Sequence, residues 1–204
     1  MTQPLVPTGR RPANDGPKAA ARNREALIAA AREIFASQGL YAPLSSIARR
    51  AGVGQGVLYR HFPDRDSVAI AVLEENVRQV EEAAAAEGAL LADVLGVLTW
   101  HLTDSAAFLG LLHSNGAAGH AATLAHARVL SARVEAALRR TLPARHRLGG
   151  GDDLMIAVGM VSGATSGPAR ESRERRAAAA WRLLGVEVGP VRPFGGRHPT
   201  AERG

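Results

Sequence analysis

Apolar residues recur every three or four positions almost throughout residues 18–184, and no stretch alternates apolar and polar side chains as a strand does. In the first such stretch, the apolar side chains that fall on one helix face are Leu27, Ile28, Ala31, Ile34 and Phe35. Alanine and leucine outnumber valine, isoleucine and threonine, which also favours helix over sheet. The spacing therefore predicts an all-α chain.

Glycine, proline and short polar residues divide this region into segments. About nine helices are predicted, at residues 18–37, 45–51, 55–62, 64–86, 89–102, 104–113, 117–141, 152–165 and 169–184. Proline and glycine without periodicity mark residues 1–17 as a flexible basic tail and residues 186–204 as a flexible C-terminal tail.

The excess positive charge lies in the N-terminal third of the chain. Residues 1–65 contain ten lysine and arginine residues against four acidic ones, a surplus that equals the formal net charge of +6 of the whole chain. A basic segment attached to a neutral body indicates a polyanionic partner at one end of the molecule. The alternative is a surface that only keeps the protein in solution.

Several classes of protein are excluded by composition. The chain has no cysteine, which excludes disulfides, thiol nucleophiles and cysteine-based zinc sites. No apolar run approaches the roughly 18 residues that span a bilayer, and residues 1–18 lack the apolar segment of a secretion signal. We therefore expect a soluble, cytoplasmic protein that has no membrane partner.

One segment has the spacing of a helix-turn-helix. Two helices of about two turns flank Gly52, which can adopt the positive φ that a tight turn requires. The apolar positions that would hold this pair against the first helix are Ile47, Ala48, Ala51, Val53, Leu58 and Phe62. The outer face of the second helix retains Gln55, Gly56, Tyr59, Arg60 and His61. Such a mixture of hydrogen-bonding and small residues is typical of a helix that enters the DNA major groove.

At these positions the chain resembles the TetR family of bacterial transcriptional regulators. The resemblance covers residues 22–75 and rests on Ala29, Ala30, Phe35, Gly39, Ile47, Ala48, Ala51, Gly52, Val53, Leu58, Tyr59, His61, Phe62 and Leu73. It implies a bundle of nine or ten helices in which residues 18–65 form a helix-turn-helix DNA-binding domain that continues into the helix to about 86. Residues 66–185 would form the effector-binding and dimerisation domain. The chain departs from the family at Pro43–Leu44 and Val57, where threonine is frequent, and the connection before Ile47 looks one residue shorter.

The residues that we predict to contact DNA are Ser45, Ser46, Arg49, Gly54, Gln55, Gly56, Tyr59, Arg60, His61 and Arg65. The Gln55 amide can pair with an adenine edge, although a solvated surface glutamine is the alternative. The resemblance implies that Tyr59 contacts a phosphate, and His61 could donate to another. The alternatives are ring packing for Tyr59 and helix capping for His61. Arg65 begins a helix whose N–H groups could help it to hold a phosphate.

The C-terminal half contains an apolar run at residues 90–102 that predicts a buried central helix. The residues that could line an effector pocket are Trp100, His101, Phe108, Leu112, His113 and Met160, and ordinary core packing is the alternative for each. The histidines lack the spacing and the carboxylate support of a metal site, so neither a metal nor a cofactor is expected.

Small residues in the last two predicted helices allow another helix to approach closely. The resemblance implies that these helices pair across a two-fold axis, with Gly159, Gly163, Ala178 and Trp181 at the dimer interface. A dimer is also expected because one helix of two turns contacts too few base pairs for useful specificity. The alternative places these helices in the core of a monomer.

The leading hypothesis is a TetR-like repressor, nucleoid-associated in a bacterial cytoplasm, that a small-molecule effector releases from a palindromic operator. The partners would be double-stranded DNA, the effector and a second copy of the chain. One alternative is a DNA-binding activator or architectural protein without an effector. Another is a helical enzyme that uses Asp93, His101 and Asp104, but no nucleophile signature accompanies these residues and Gly149–Gly151 lacks the lysine of a phosphate loop. We therefore expect no enzymatic activity.

Overall fold

In a computed structural model, the structure describes residues 16–104, 121–165 and 169–195. Within these ranges the chain forms eight helices and no strand: α1 (Gly16–Gln38), α2 (Leu44–Arg50), α3 (Gln55–His61), α4 (Arg65–Ala85), α5 (Leu91–Asp104), α6 (Ala121–Thr141), α7 (Asp153–Ala164) and α8 (Arg170–Leu183). The predicted all-α class is confirmed, and the helix count is close to the nine expected. The predicted helix at 104–113 lies outside the described residues, apart from its first position.

The first three helices pack around an apolar core of their own. Phe35 of α1, Ile47 of α2 and Leu58 of α3 lie at its centre and are at most 1% exposed. The start of α4 contributes Val68 and Val72 to the same core. This group of helices therefore packs as one domain at the N-terminal end of the molecule.

Two glycines make the turns that separate these helices. Gly39 ends α1 with φ of +82°, and its N–H donates to the Phe35 carbonyl at 3.0 Å. Gly52 ends α2 with φ of +70°, and the following Val53 N–H reaches back to the Ala48 carbonyl at 3.0 Å. Because a side chain is strained at these angles, the short turns depend on glycine.

The long helix α4 links the N-terminal domain to the rest of the protein. Asp64 caps it, since its Oδ1 accepts from the Ser67 N–H at 2.8 Å while the Ser67 hydroxyl accepts from the Asp64 N–H at 3.3 Å. Core residues of α4 up to Val72 pack with the N-terminal domain, and those from Leu73 onward pack with the C-terminal body. The division between the two cores thus lies inside α4, about two turns beyond the boundary predicted at residue 65.

The C-terminal body is a bundle of α4 to α8 around a second apolar core. α4 packs on α5 and α6, α5 packs on α8, and α7 packs on α8. At the centre, the Trp181 Nε1–H of α8 donates to the Thr99 hydroxyl of α5 at 2.9 Å. The indole is 1% exposed, so it joins two helices in the middle of the bundle.

The chain beyond α8 is folded onto the bundle as far as the structure describes it. Val186 is 6% exposed and belongs to the second core. The Gly189 N–H donates to the Ala92 carbonyl of α5 at 2.8 Å. A Cβ atom at Gly96 would come within 2.5 Å of the Pro190 carbonyl oxygen, so glycine is what lets this segment lie against α5. The prediction of a flexible tail from residue 186 is therefore wrong for residues 186–195.

Two further findings concern the described part of the chain. None of its helices has the length and apolar character needed to cross a bilayer. Within those same ranges, no three histidine, aspartate or glutamate side chains converge as metal ligands would.

Candidate functional site

The helix-turn-helix presents α3 at the surface of the N-terminal domain. Leu58 and Phe62 anchor it, at 1% and 3% exposed. The opposite face leaves the Tyr59 ring 53% exposed, with Gln55 and Arg60 also exposed beside it. The sequence therefore places apolar residues on one side of two turns and hydrogen-bonding residues on the other.

All ten predicted DNA contacts lie on α2, on α3, at the N-terminal cap of α3 or at the start of α4. The exposed ones are Ser45, Arg49, Gly54, Gln55, Gly56, Tyr59 and Arg60, and the partly buried ones are Ser46, His61 and Arg65. We call these ten residues of the N-terminal domain the α3 face.

Arg65 differs from the other nine because its guanidinium is occupied inside the chain. Its Nη1 donates to the Leu40 carbonyl at 2.8 Å and also to the Ala42 carbonyl. Both acceptors lie in the connection between α1 and α2, so Arg65 ties that connection to the start of α4. No sequence signal indicates this role, because the partners are more than twenty positions away.

Arg49 and Arg50, which end α2, point to different surroundings. The Arg50 Nε donates to Glu33 of α1 at 2.7 Å, and the pair is about half exposed. Arg49 is exposed. Arg50 thus helps to hold α2 on α1, and Arg49 is the better placed of the two to meet a phosphate.

Within the described part of the chain, Gly54 and Gly56 have no packing role. A Cβ atom at either position would meet nothing within 4 Å. Gly56 lies within α3, where glycine destabilises a helix by about 1 kcal/mol relative to alanine. By helical spacing, Gly56 shares its side of α3 with the exposed Tyr59 and Arg60.

A second group of residues lies inside the C-terminal body. His101 of α5 is fully buried, and in the described structure neither ring nitrogen has a hydrogen-bond partner. Burial lowers the pKa of its imidazole to about 3, and the positive charge of Arg32 acts in the same direction. His101 is therefore neutral, and its ring has one donor and one acceptor without a hydrogen-bond partner among the described residues.

Two other buried polar side chains of the body also lack hydrogen-bond partners among the described residues. Asn76 of α4 is 0% exposed and Ser162 of α7 is 2% exposed, and their side-chain polar atoms have no hydrogen-bond partner in the described structure. Buried polar groups in native proteins are nearly always paired, by protein, water or ligand. Neither residue was predicted from the sequence, although an asparagine within the apolar stripe of α4 is a usable signal.

The predicted effector residues divide into three groups. Trp100 lies beside His101 with ring centroids 4.9 Å apart and is partly buried. Met160 is 57% exposed on the outer face of α7, so in this chain it does not line an internal pocket with His101. Phe108, Leu112 and His113 lie outside the described residues.

The outer face of α7 is an uninterrupted apolar stripe. Ile156 and Met160 are each 57% exposed, and Gly159 and Gly163 lie between and beside them at helical spacing. A Cβ atom at either glycine would meet nothing within 4 Å. We call these four residues the α7 stripe.

Two residues of α8 were predicted at the dimer interface. Ala178 is exposed, but Trp181 is buried within the chain and bonded to Thr99. The expectation of a surface contact at Trp181 is therefore corrected, because the indole completes the core of its own chain and is not available to a partner.

The residues of the alternative enzymatic site are spread along α5. Asp93 lies eight positions before His101, which places the two about 12 Å apart along the helix axis. Asp104 is bonded to Arg170 of α8 at 2.8 Å. Since His101 is buried and Asp93 is exposed, the three do not form one reaction site.

Comparison with known proteins agrees with this arrangement. Residues 27–72 match the family model of bacterial regulatory proteins, tetR family. The match runs from the middle of α1 through α2 and α3 to the first turns of α4. A search of curated proteins gives no significant match.

One solved structure extends the similarity to most of the chain. The TetR transcriptional regulator SCO0520 from Streptomyces coelicolor is 25% identical, with 81% of this chain and 98% of that chain covered and a TM-score of 0.52. The TetR transcription regulatory protein from Mycobacterium vanbaalenii is 27% identical, with 84% and 99% covered and a TM-score of 0.47. The predicted resemblance to the TetR family of DNA-binding transcriptional regulators is confirmed.

Proposed function

We propose that this protein is a homodimeric repressor that a small-molecule effector releases from a palindromic operator. The observation that carries the DNA-binding part is the exposed part of α3, where Gln55, Tyr59 and Arg60 accompany Gly56, a glycine without a packing role among the described residues. The effector and dimer parts rest on the unfilled polar groups of the body and on the α7 stripe.

On DNA, α3 would lie in the major groove with its N-terminal end towards the bases. Gln55, in the first turn, would read an adenine edge, and Arg60 is the second residue able to specify a base. Tyr59 and His61 would donate to phosphates and so set the position of the helix. Gly54 and Gly56 would let the backbone come close to the DNA.

Two copies of the chain are needed because α3 spans only seven residues. A dimer would place two such helices on two half-sites about one helical turn of DNA apart. The α7 stripe is suited to join them, since Ile156 and Met160 would bury apolar surface while Gly159 and Gly163 let the partner helix approach. Ala178 would continue this surface on α8.

The effector would bind near His101 inside the body. Neutral His101, Asn76 and Ser162 offer donors and acceptors that are out of water and unfilled, which suits a ligand that is itself polar at a few points. Trp100 would supply an apolar wall. Phe108, Leu112 and His113 remain sequence-based candidates for the same pocket, whereas Met160 is reassigned to the dimer interface.

The experiment is a selection of bound sequences from random DNA with the full chain, followed by sedimentation of the complex on the selected site. We expect a two-fold symmetric site that binds two protomers. Enrichment of a single asymmetric half-site by one protomer would contradict the proposal.

A screen of small molecules against the complex with the selected operator tests the effector part. We expect at least one compound to lower DNA affinity in the wild-type protein and to lose this effect in Asn76→Leu. An Asn76→Leu protein that still binds the operator is the control for correct folding. DNA affinity that no compound changes would favour the alternative, a DNA-binding protein without an effector.

A further inference from the structure

A groove of about 570 Å³ lies between α1 of the N-terminal domain and α4. Its lining consists of Arg24, Glu25, Ile28, Ala29, Arg32, Glu75 and Arg78. Three guanidinium groups therefore face two carboxylates, which leaves the lining with one excess positive charge. This groove includes none of the residues predicted to contact DNA, the effector or a second protomer.

Arg32 is the unusual member of this lining. Its Nε and Nη2 atoms are out of contact with water and have no hydrogen-bond partner in the described part of the chain. Burial lowers the pKa of its guanidinium, although the group remains charged. Arg32 is partly buried, and donor atoms that are out of water and without a partner are costly, so an acceptor that bonds to Nε and Nη2 has an energetic advantage.

The two carboxylates whose charge acts on Arg32, Glu75 and Asp104, already accept hydrogen bonds from other arginines. Both oxygens of Glu75 accept from Arg78, at 2.6 and 2.8 Å. Asp104 accepts from Arg170 at 2.8 Å. Arg32 is therefore attracted to Glu75 and Asp104 through space, but its Nε and Nη2 atoms donate to neither carboxylate.

The Arg32 guanidinium also lies over the ring of Trp100 of α5. The Arg32 Cζ lies 5.8 Å from the centre of the Trp100 ring, and the Arg170 Cζ lies 5.6 Å from the same centre. Trp100 is thus in contact with one cation from the N-terminal domain and one from α8. Its fluorescence should respond to any change at Arg32.

We propose that the groove between α1 and α4 binds a small organic carboxylate, whose oxygens accept hydrogen bonds from Arg32. A guanidinium matches a carboxylate in a two-bond geometry. A rotation about the terminal side-chain torsions of Arg32 would turn its unfilled donors towards the groove. Arg24, on the same helix, would add a second positive charge.

The remaining lining restricts the class of ligand. Ile28 and Ala29 offer apolar surface to a hydrocarbon body. Glu25 and Glu75 limit the excess charge to one, so a monoanion matches the groove better than a phosphate dianion does. The ligand would be an amphipathic monocarboxylate.

Such a ligand would act on the DNA-binding end of the molecule. Arg32 lies on α1, which packs on α2 and α3, whereas Glu75 and Trp100 lie on α4 and α5. A carboxylate held by Arg32 would replace part of its contact with Trp100 and change how α1 rests on the body. The two proposals share Trp100, but their tests differ: benzoate binding is measured without DNA and depends on Arg32, whereas the effector near His101 is tested with DNA and depends on Asn76.

The test uses benzoate as the probe and neutral benzamide as its isostere, with the full chain. We expect benzoate to bind by calorimetry and to change Trp100 fluorescence, while benzamide binds at least tenfold more weakly. Inorganic phosphate is the third arm, and we expect it to bind more weakly than benzoate. Phosphate that binds more tightly than benzoate would overturn the monocarboxylate assignment.

Arg32→Met keeps the apolar stem of the side chain and removes its charge. We expect this variant to lose benzoate binding at least tenfold and to melt at a higher temperature than the wild type, because a partly buried cation whose Nε and Nη2 lack hydrogen-bond partners has been removed. Arg145→Gln, an exposed arginine outside the groove, should leave benzoate binding unchanged. Equal benzoate binding by wild type and Arg32→Met would overturn the proposal.

Discussion

At the scale of single residues, the glycine at position 56 is not explained by packing within the described part of the chain. A Cβ atom there would meet no group within 4 Å, so the packing of the protein does not require glycine. The residue nevertheless lies within α3, where alanine would form a more stable helix. The proposed function accounts for this glycine, because it would let the backbone of α3 come close to DNA.

Gly56→Ala should therefore separate stability from binding. We expect the free energy of unfolding to rise by up to about 1 kcal/mol, because alanine favours the helix. Affinity for the selected operator should fall about tenfold, a loss of roughly 1.4 kcal/mol, because the methyl group holds the backbone away from the DNA. Denaturant unfolding and gel-shift titration measure the two quantities. The control is Ala132→Gly at an exposed position of α6, which should lower stability and leave operator affinity unchanged.

Gln55 should determine one base pair in each half-site. We expect Gln55→Ala to lose roughly 1–3 kcal/mol of discrimination at that base pair, since the amide would no longer match an adenine edge. The matched control is Tyr59→Phe, which removes only a hydroxyl and should weaken all sequences alike. Both variants are titrated against the operator and its single-base variants. An unchanged base preference for Gln55→Ala would show that α3 does not read DNA through this residue.

His101 predicts a loss of stability in mild acid. In the unfolded chain it titrates near the ordinary value of about 6.5, but in the folded chain burial beside Arg32 lowers its pKa to about 3, despite Glu75. The unfolded state therefore binds more protons between these two values, and stability falls as the pH is lowered through 6.5 towards 3.

His101→Leu should reduce this acid sensitivity. Between pH 6.5 and 5.5 we expect protonation of this histidine to lower the free energy of unfolding of the wild type by about 1 kcal/mol. The variant lacks this contribution, so its free energy of unfolding should fall by about 1 kcal/mol less over the same range. Urea unfolding at the two pH values measures the difference. His146→Gln, which alters a less buried histidine, should retain the wild-type slope.

At the scale of helices, the sequence predicts the elements whose ends are determined locally. Gly39, Gly52 and Asp64 end or cap the first helices through contacts within five positions, and the predicted bounds of α1 to α4 agree with the structure to within two residues. Arg65 could not be placed in this way, because its acceptors lie in the connection between α1 and α2. Trp181 was misplaced for the same reason, since its partner Thr99 lies on a distant helix.

The α7 stripe makes a prediction about association. We expect Gly159→Ala to stabilise the monomer by about 1 kcal/mol through helix propensity but to weaken the dimer, because the added methyl group keeps the partner helix away. Ala178→Glu should dissociate the dimer by placing an unpaired charge in the interface. Sedimentation equilibrium measures both effects. Ala144→Glu in an exposed connection should leave association unchanged, and a normal dimer for Ala178→Glu would place the interface elsewhere.

At the scale of the whole molecule, charge and function are separated along the chain. The surplus of basic residues lies in residues 1–65, which also provide all of the α3 face. The body is neutral as a group, so it neither attracts nor repels the phosphate backbone strongly. The salt dependence of DNA binding should therefore come from the N-terminal domain.

Arg49 provides a quantitative check of this separation. If it meets one phosphate in each protomer, Arg49→Gln should reduce the slope of log K against log salt by about 0.9 per protomer, or about two units for the dimer. Base preference should not change, because a phosphate contact carries no sequence information. Arg145→Gln in the body should leave the slope unaltered. A slope that changes equally in both variants would mean that the body also contacts DNA.

The packing of residues 186–195 onto α5 has a consequence for the order in which the protein is assembled. A ribosome makes α5 long before it makes the segment that covers Gly96, so the newly made bundle must keep that face of α5 uncovered for part of its synthesis. The N-terminal domain has no such dependence, because every residue of its core has been translated by Val72. During translation the N-terminal domain can therefore fold first, and the body is completed only when residues 186–195 pack against α5.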